Sequence, residues 1–215
     1  AWSPDGRYVY FSSFRDGRGM LWRVSSRGGE PVRVWGGSGS LRRPSLSRDG
    51  RVLVSSTSTD DAELVLRDLE TGRERSLGGE GDQQPTLGPT HGNPSLCSVF
   101  FLSNRWGRFD LWTQLLSGGE PVGTPRPVAE LEGMESNPAC SPDGRWIAYY
   151  RILGARRDLW VVSTSGGAPQ RFTTNTEAET LPAGSPDGSR LAYQSARGGS
   201  IQVWVRGIRD GRPDG

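Results

Sequence analysis

Ser141-Pro142-Asp143-Gly144 runs directly into the apolar stretch Arg145-Trp146-Ile147-Ala148-Tyr149. The four-residue phrase returns as Ser3-Pro4-Asp5-Gly6, Ser47-Arg48-Asp49-Gly50 and Ser185-Pro186-Asp187-Gly188. The copies at 3 and 47, and those at 141 and 185, stand 44 residues apart; the interval from 47 to 141 is 94, room for two periods. Gly accepts the positive φ that a tight hairpin turn demands, and Asp can bond its own backbone there. A period of ~40–45 residues built from short strands and such turns is the signature of a β-propeller, one four-stranded blade per copy.

The rest of each copy supports that reading. Leu21-Trp22, Leu111-Trp112, Leu159-Trp160 and Val203-Trp204 share one register, and Val65-Leu66 fills it in the second copy. A Gly turn follows each, as in Gly28-Gly29, Gly118-Gly119 and Gly166-Gly167. Upstream lies an apolar run such as Tyr8-Val9-Tyr10-Phe11, Val52-Leu53-Val54 or Leu191-Ala192-Tyr193. The third copy lacks an intact turn phrase and carries Gly88-Pro89-Thr90-His91-Gly92 instead. The expected fold is therefore all-β: a propeller of four-stranded blades with five repeats visible, either part of a larger ring or a closed five-bladed one. The repeats fall at about 1–40, 41–80, 81–132, 133–177 and 178–215 of one domain spanning 1–215. The chain opens at Ala1 with its first Met at Met20, and reads as a piece truncated at one or both ends. No segment sustains a 3.6 period, so almost no helix is expected. A blade cannot bury both faces of its sheet alone, so the large aromatics (Trp22, Trp112, Trp160, Trp204) are expected in the seams between blades.

Composition narrows the function more than it names it. The formal net charge is +2 and every basic residue is Arg, spread along the chain, so neither nucleic acid nor a membrane surface is called for. No apolar run approaches the ~20 residues of a membrane span. Two cysteines, Cys97 and Cys140, lie in different repeats and read as buried free thiols. A single histidine, His91, sits in the irregular turn without a sequence partner and reads as an exposed loop residue. Neither a Gly-x-Ser-x-Gly elbow nor a spaced metal-ligand set is present. The repeated Asp residues are turn chemistry rather than a calcium site, which needs 6–8 converging oxygens. No catalytic, cofactor or metal site is expected.

The order of residues, Ser-Pro-Asp-Gly, apolar strand, Ser-x-Arg, Leu-Trp, then Gly-Gly-x-Pro, resembles the WD40-like repeat of TolB-type propellers over nearly the whole chain. Residues 138–149 and 182–193 carry it most closely. The resemblance implies a six-bladed ring of which this chain is part, and a bacterial, periplasmic or otherwise extracytoplasmic scaffold that holds a protein or peptide partner. It also admits a second reading: a sensory or gating propeller of a larger enzyme, a prolyl-peptidase-like hydrolase or a protein kinase, with the chemistry in other domains of the same polypeptide.

Register gives the candidate binding surface. Just before each first-strand Pro stand Leu41-Arg42-Arg43, Asp82-Gln83-Gln84, Glu135-Ser136-Asn137 and Glu179-Thr180-Leu181. Such segments enter the innermost strands, so equivalent positions should meet at one channel mouth. Arg42, Arg43, Asp82, Gln84, Glu135, Asn137 and Glu179 form the candidate partner-binding rim. Trp35 and Trp106 are expected in loops, off the repeated core positions, either as exposed aromatics of the kind interfaces favour or tucked over a blade edge.

Overall fold

Each Ser-Pro-Asp-Gly turn closes a hairpin. In the first, second, fourth and fifth sheets the Ser backbone N–H donates to the carbonyl five residues on, and the Gly N–H returns to the Ser carbonyl. The computed structural model describes residues 1–15, 17–35, 40–57, 62–79, 81–129 and 134–214, apart from the side chains of Pro94, Met134 and Glu135. The first sheet holds β1 (Tyr8–Ser13), β2 (Met20–Ser25) and β3 (Val32–Trp35), with a bridge from Trp2 to Val9 in the innermost place. The second holds β4 (Leu41–Leu46), β5 (Val52–Thr57), β6 (Leu64–Asp68) and β7 (Glu74–Ser76). The third holds β8 (Gln83–Thr90), β9 (Asn93–Ser103), β10 (Asp110–Ser117) and β11 (Glu120–Pro127). The fourth holds β12 (Met134–Cys140), β13 (Trp146–Leu153), β14 (Arg156–Ser163) and β15 (Gln170–Arg171). The fifth holds β16 (Glu179–Gly184), β17 (Arg190–Ser195), β18 (Gln202–Arg209) and β19 (Arg212–Asp214). All are antiparallel, and consecutive strands are neighbours. Helical structure among the described residues is one 3-10 turn, Arg197–Gly199.

Alternation along the second strands builds the seams. In β9, Val99 and Phe101 pack against the second sheet, while Phe100 and Leu102 pack against the fourth. In β13, Ile147 and Tyr149 turn to the third sheet and Ala148 to the fifth. A strand's period of two thus feeds two cores at once, which is why these runs read as continuously apolar. Residues of all five sheets, among them Pro4, Leu46, Pro89, Cys140 and Pro186, line one axial cavity of about 500 Å³. The sheets therefore share a centre.

The aromatics are placed less uniformly than expected. Trp112 is buried in the seam between the second and third sheets, and Trp160 packs half-buried between the third and fourth. Trp204 stays partly exposed. Trp35, expected in a loop, ends β3 and is buried in the first seam, because pairing with Leu21 draws it inward. Trp106 is exposed, edge-on to Trp112 with ring centroids 4.6 Å apart. Cys97 and Cys140 are free thiols packed on opposite faces of the third sheet, the latter against its edge with the fourth.

Candidate functional site

The inner strands have two differently built ends. The first is the start of each strand. Arg43, Gln84, Asn137 and Leu181 occupy one register and all have left-handed φ, between 52° and 55°. Strand pairing slips at the same place in each sheet, between Arg42 and Ser45, Gln83 and Thr86, Ser136 and Ala139, and Thr180 and Ala183. This is a repeated β-bulge. A side chain held left-handed costs about 1–3 kcal/mol and persists only where the surroundings impose it. Each bulge residue precedes a proline (Pro44, Pro85, Pro138, Pro182), which already denies it the right-handed helical region.

Gln84 ties three sheets together here. Its Oε1 accepts from Arg43 Nη1 at 3.3 Å, Ser136 Oγ at 2.9 Å and the Asn137 backbone N–H at 2.7 Å. Arg42 is exposed and lies over the Phe14 ring at 5.2 Å. Phe14 and Trp106, in the loops between second and third strands, and Leu181 are exposed at this end of their sheets, Trp106 by 55%.

The two described acids of the candidate rim do not reach the opening. Asp82 is 1% exposed and its Oδ2 accepts from Arg105 Nη2 at 2.7 Å. Glu179 is 0% exposed and its Oε1 accepts from Arg197 Nη2 at 2.8 Å and Asn175 Nδ2 at 2.6 Å. Burial raises both carboxyl pKa values above the ordinary range, against the pull of Ser103 and Arg105 on one and of Thr173 and Arg197 on the other. The two arginines also stack on third-strand indoles, Arg105 at 4.4 Å over Trp112 and Arg197 at 4.8 Å over Trp204. Each acid is thus the inner end of a carboxylate–guanidinium–indole stack that locks the loop. Both arginines follow the ends of second strands, and their acid partners lie 23 and 18 residues upstream and become neighbours only through strand register. Glu135 pairs through its backbone with Arg151, and its side chain lies outside the described residues.

The second end carries the Ser-Pro-Asp-Gly turns. In four sheets the Ser hydroxyl donates to Asp Oδ1 at 2.5–2.6 Å and accepts the backbone N–H five residues beyond it. The same Oδ1 accepts the N–H two residues after the Asp. These bonds pull the four carboxyl pKa values down, Asp187 to about 2, with the Ser185 hydroxyl the largest cause there. Neighbouring turns touch: a Cβ at Gly144 would sit 2.1 Å from the Pro89 carbonyl oxygen, and one at Gly50 would sit 3.3 Å from Pro4 Cδ. The third sheet has no Ser-Asp pair, and β8 and β9 instead extend to Thr90 and Asn93, leaving His91 exposed at the tip. Among the described residues, no group of three or more His, Cys, Asp or Glu could hold a metal ion, and no helix is long and apolar enough to cross a membrane.

Sheets stacked round one axial cavity, each with its first strand innermost, define a β-propeller. Residues 121–214 match the family model of the TolB beta propeller domain. An uncharacterized protein of Agrobacterium fabrum is 26% identical over 178 residues, 80% of this chain and 56% of that protein. The chain thus spans little more than half the length of that curated relative. TolB from Acinetobacter baumannii superposes with a TM-score of 0.76 at 19% identity, over 96% of this chain and 50% of its own. A TolB-type protein of Agrobacterium tumefaciens gives 0.79 at 21% identity, over 99% and 77%.

Proposed function

We propose that this propeller is a non-catalytic module that binds a protein or peptide partner at the bulge end of its inner strands, in the periplasm or another extracytoplasmic compartment. One observation carries the reading: four strained residues in one register, bridged across three sheets by Gln84, beside exposed Phe14, Trp106 and Leu181. Strained backbone concentrates at binding sites, and exposed aromatics beside Arg are what partner surfaces enrich. Arg42, Arg43, Gln84 and Asn137 are the rim residues assigned to contact. Asp82 and Glu179 are assigned to hold the loops in place. The stripe left open on β18, Val203 and Val205, supports the reading of the chain as an arc of a six-bladed ring.

The test is capture from a lysate of the source cells. Native protein is compared with a bulge-end variant (Arg43→Glu, Trp106→Ala) and a turn-end variant (Arg48→Glu). The reading expects a specific protein lost with the first variant and kept with the second. Equal capture by all three, or loss with both, overturns it. Recovery only of a catalytic domain from the same polypeptide would favour the accessory-domain reading instead.

A further inference from the structure

We infer that the cleft between the fourth and fifth sheets, at the turn end, binds a small amphipathic carboxylate. The residue that fills each seam just before the turn is Leu46 in the first seam, Leu87 in the second and Cys140 in the third. The fifth sheet has Gly184 in that place, and a Cβ built there meets nothing within 4 Å. The seam stays open as a cavity of about 290 Å³, close to the lower size of small-ligand sites. Its walls are apolar: Trp146, Ala148, Val161, Leu191 and Ile208. An unfilled apolar space in a repeat that fills its other seams lowers stability, so an occupant is the natural reading.

Charge at the rim selects that occupant. Asp143, Asp187, Asp210, Arg48 and Arg190 surround the mouth. Asp143 is engaged by the Ser141 hydroxyl, the Arg145 N–H and the Arg145 guanidinium. Asp187 is engaged by the Ser185 and Ser189 hydroxyls and the Ser189 N–H. Among the described residues neither the Arg48 nor the Arg190 guanidinium makes a side-chain hydrogen bond, and Arg190 lies near enough to Asp187 to help hold its carboxyl pKa down. Arg48 stands where the first, fourth and fifth turns carry Pro4, Pro142 and Pro186. It belongs to the second sheet, so it meets this cleft from across the axis, and it shares the mouth with Asp210 on the β18–β19 turn. The apolar part of the ligand lies against Ala148 and Leu191, and its carboxylate faces Arg48 and Arg190.

Hexanoate is the probe, with hexylamine as the charge control, each titrated calorimetrically into the whole chain. Saturable binding of hexanoate and none of hexylamine is expected. Gly184→Leu should abolish binding while keeping the circular dichroism and melting of the native protein, since the new side chain enters empty space. Arg48→Pro, the residue of three sister turns, should weaken binding about tenfold or more. Absence of saturable hexanoate binding overturns the proposal. So does hexylamine binding as well as hexanoate, or binding unchanged by both substitutions. The bulge end is untouched by either variant, so this result and the partner test succeed or fail separately.

Discussion

At the turn end of the inner strands, four sheets carry the same Ser-Asp latch with the same bonds, and only the third departs from it. At the bulge end the backbone is just as regular, yet the side chains are Arg43, Gln84, Asn137 and Leu181, with nothing in common. One end is uniform in sequence and relaxed; the other is uniform only in shape and strained. The difference teaches where this fold spends conformational freedom. Glycine and Asp-Ser chemistry hold the turns cheaply. The bulges are held from outside, by cross-sheet bonds and buried ion pairs, and can therefore vary in the groups they present.

Breaking the support of the bulge end should have the largest effect. Arg197→Ala leaves the Glu179 carboxylate buried without its guanidinium and should cost about 3 kcal/mol at neutral pH by urea unfolding. The loss should shrink in acid as Glu179 takes up a proton. A cost below ~1 kcal/mol would mean that Asn175 and Thr173 suffice and that the stack is incidental.

Moving a Cβ between the two ends sharpens the contrast. Gly144→Ala at the turn end adds a carbon against the Pro89 carbonyl at left-handed φ, and should destabilise by about 2–3 kcal/mol. Leu181→Gly at the bulge end removes one from an exposed left-handed residue and should be neutral or stabilising by up to ~1 kcal/mol. Similar costs for the two would erase the distinction between a tight and an imposed conformation.

The smallest effect is in pH, and the ends should respond with opposite sign. The turn carboxylates have depressed pKa values in the fold, so their contribution is complete above the ordinary 3.8 and is lost as pH falls through about 2 for Asp187. Asp82 and Glu179 are raised, so the folded state holds their protons more firmly. Their ionisation lowers stability as pH rises beyond the ordinary 3.8 and 4.5. Melting temperature against pH should therefore be flatter below 3.8 in Asp187→Asn, and flatter above 4.5 in Glu179→Gln.

The turn end was legible in the sequence because its conformation is written in residue identity: Asp-Gly at a fixed spacing has one reading. The seams were legible from continuous apolar runs. The bulges were not, since left-handed positions announce themselves through glycine and these carry none; the shared sign is only the Pro that follows each. Asp82 and Glu179 looked like rim charges because register put them at the mouth, whereas their partners came from the ends of the second strands. The missing filler at Gly184 gains meaning only once Leu46, Leu87 and Cys140 are seen to occupy the other seams.

On β14, Leu159 and Val161 are sealed by the fifth sheet. Their counterparts on β18, Val203 and Val205, are 72% and 58% exposed. In a stack where each unit is held by those beside it, the fifth sheet has one such support among the described residues and the interior sheets have two. The first sheet is likewise packed against the second alone among the described residues, so loss of structure should begin at these end sheets and travel toward the third, like a deck of cards lifted from its sides. Whatever covers that stripe would act first on how fast the array comes apart.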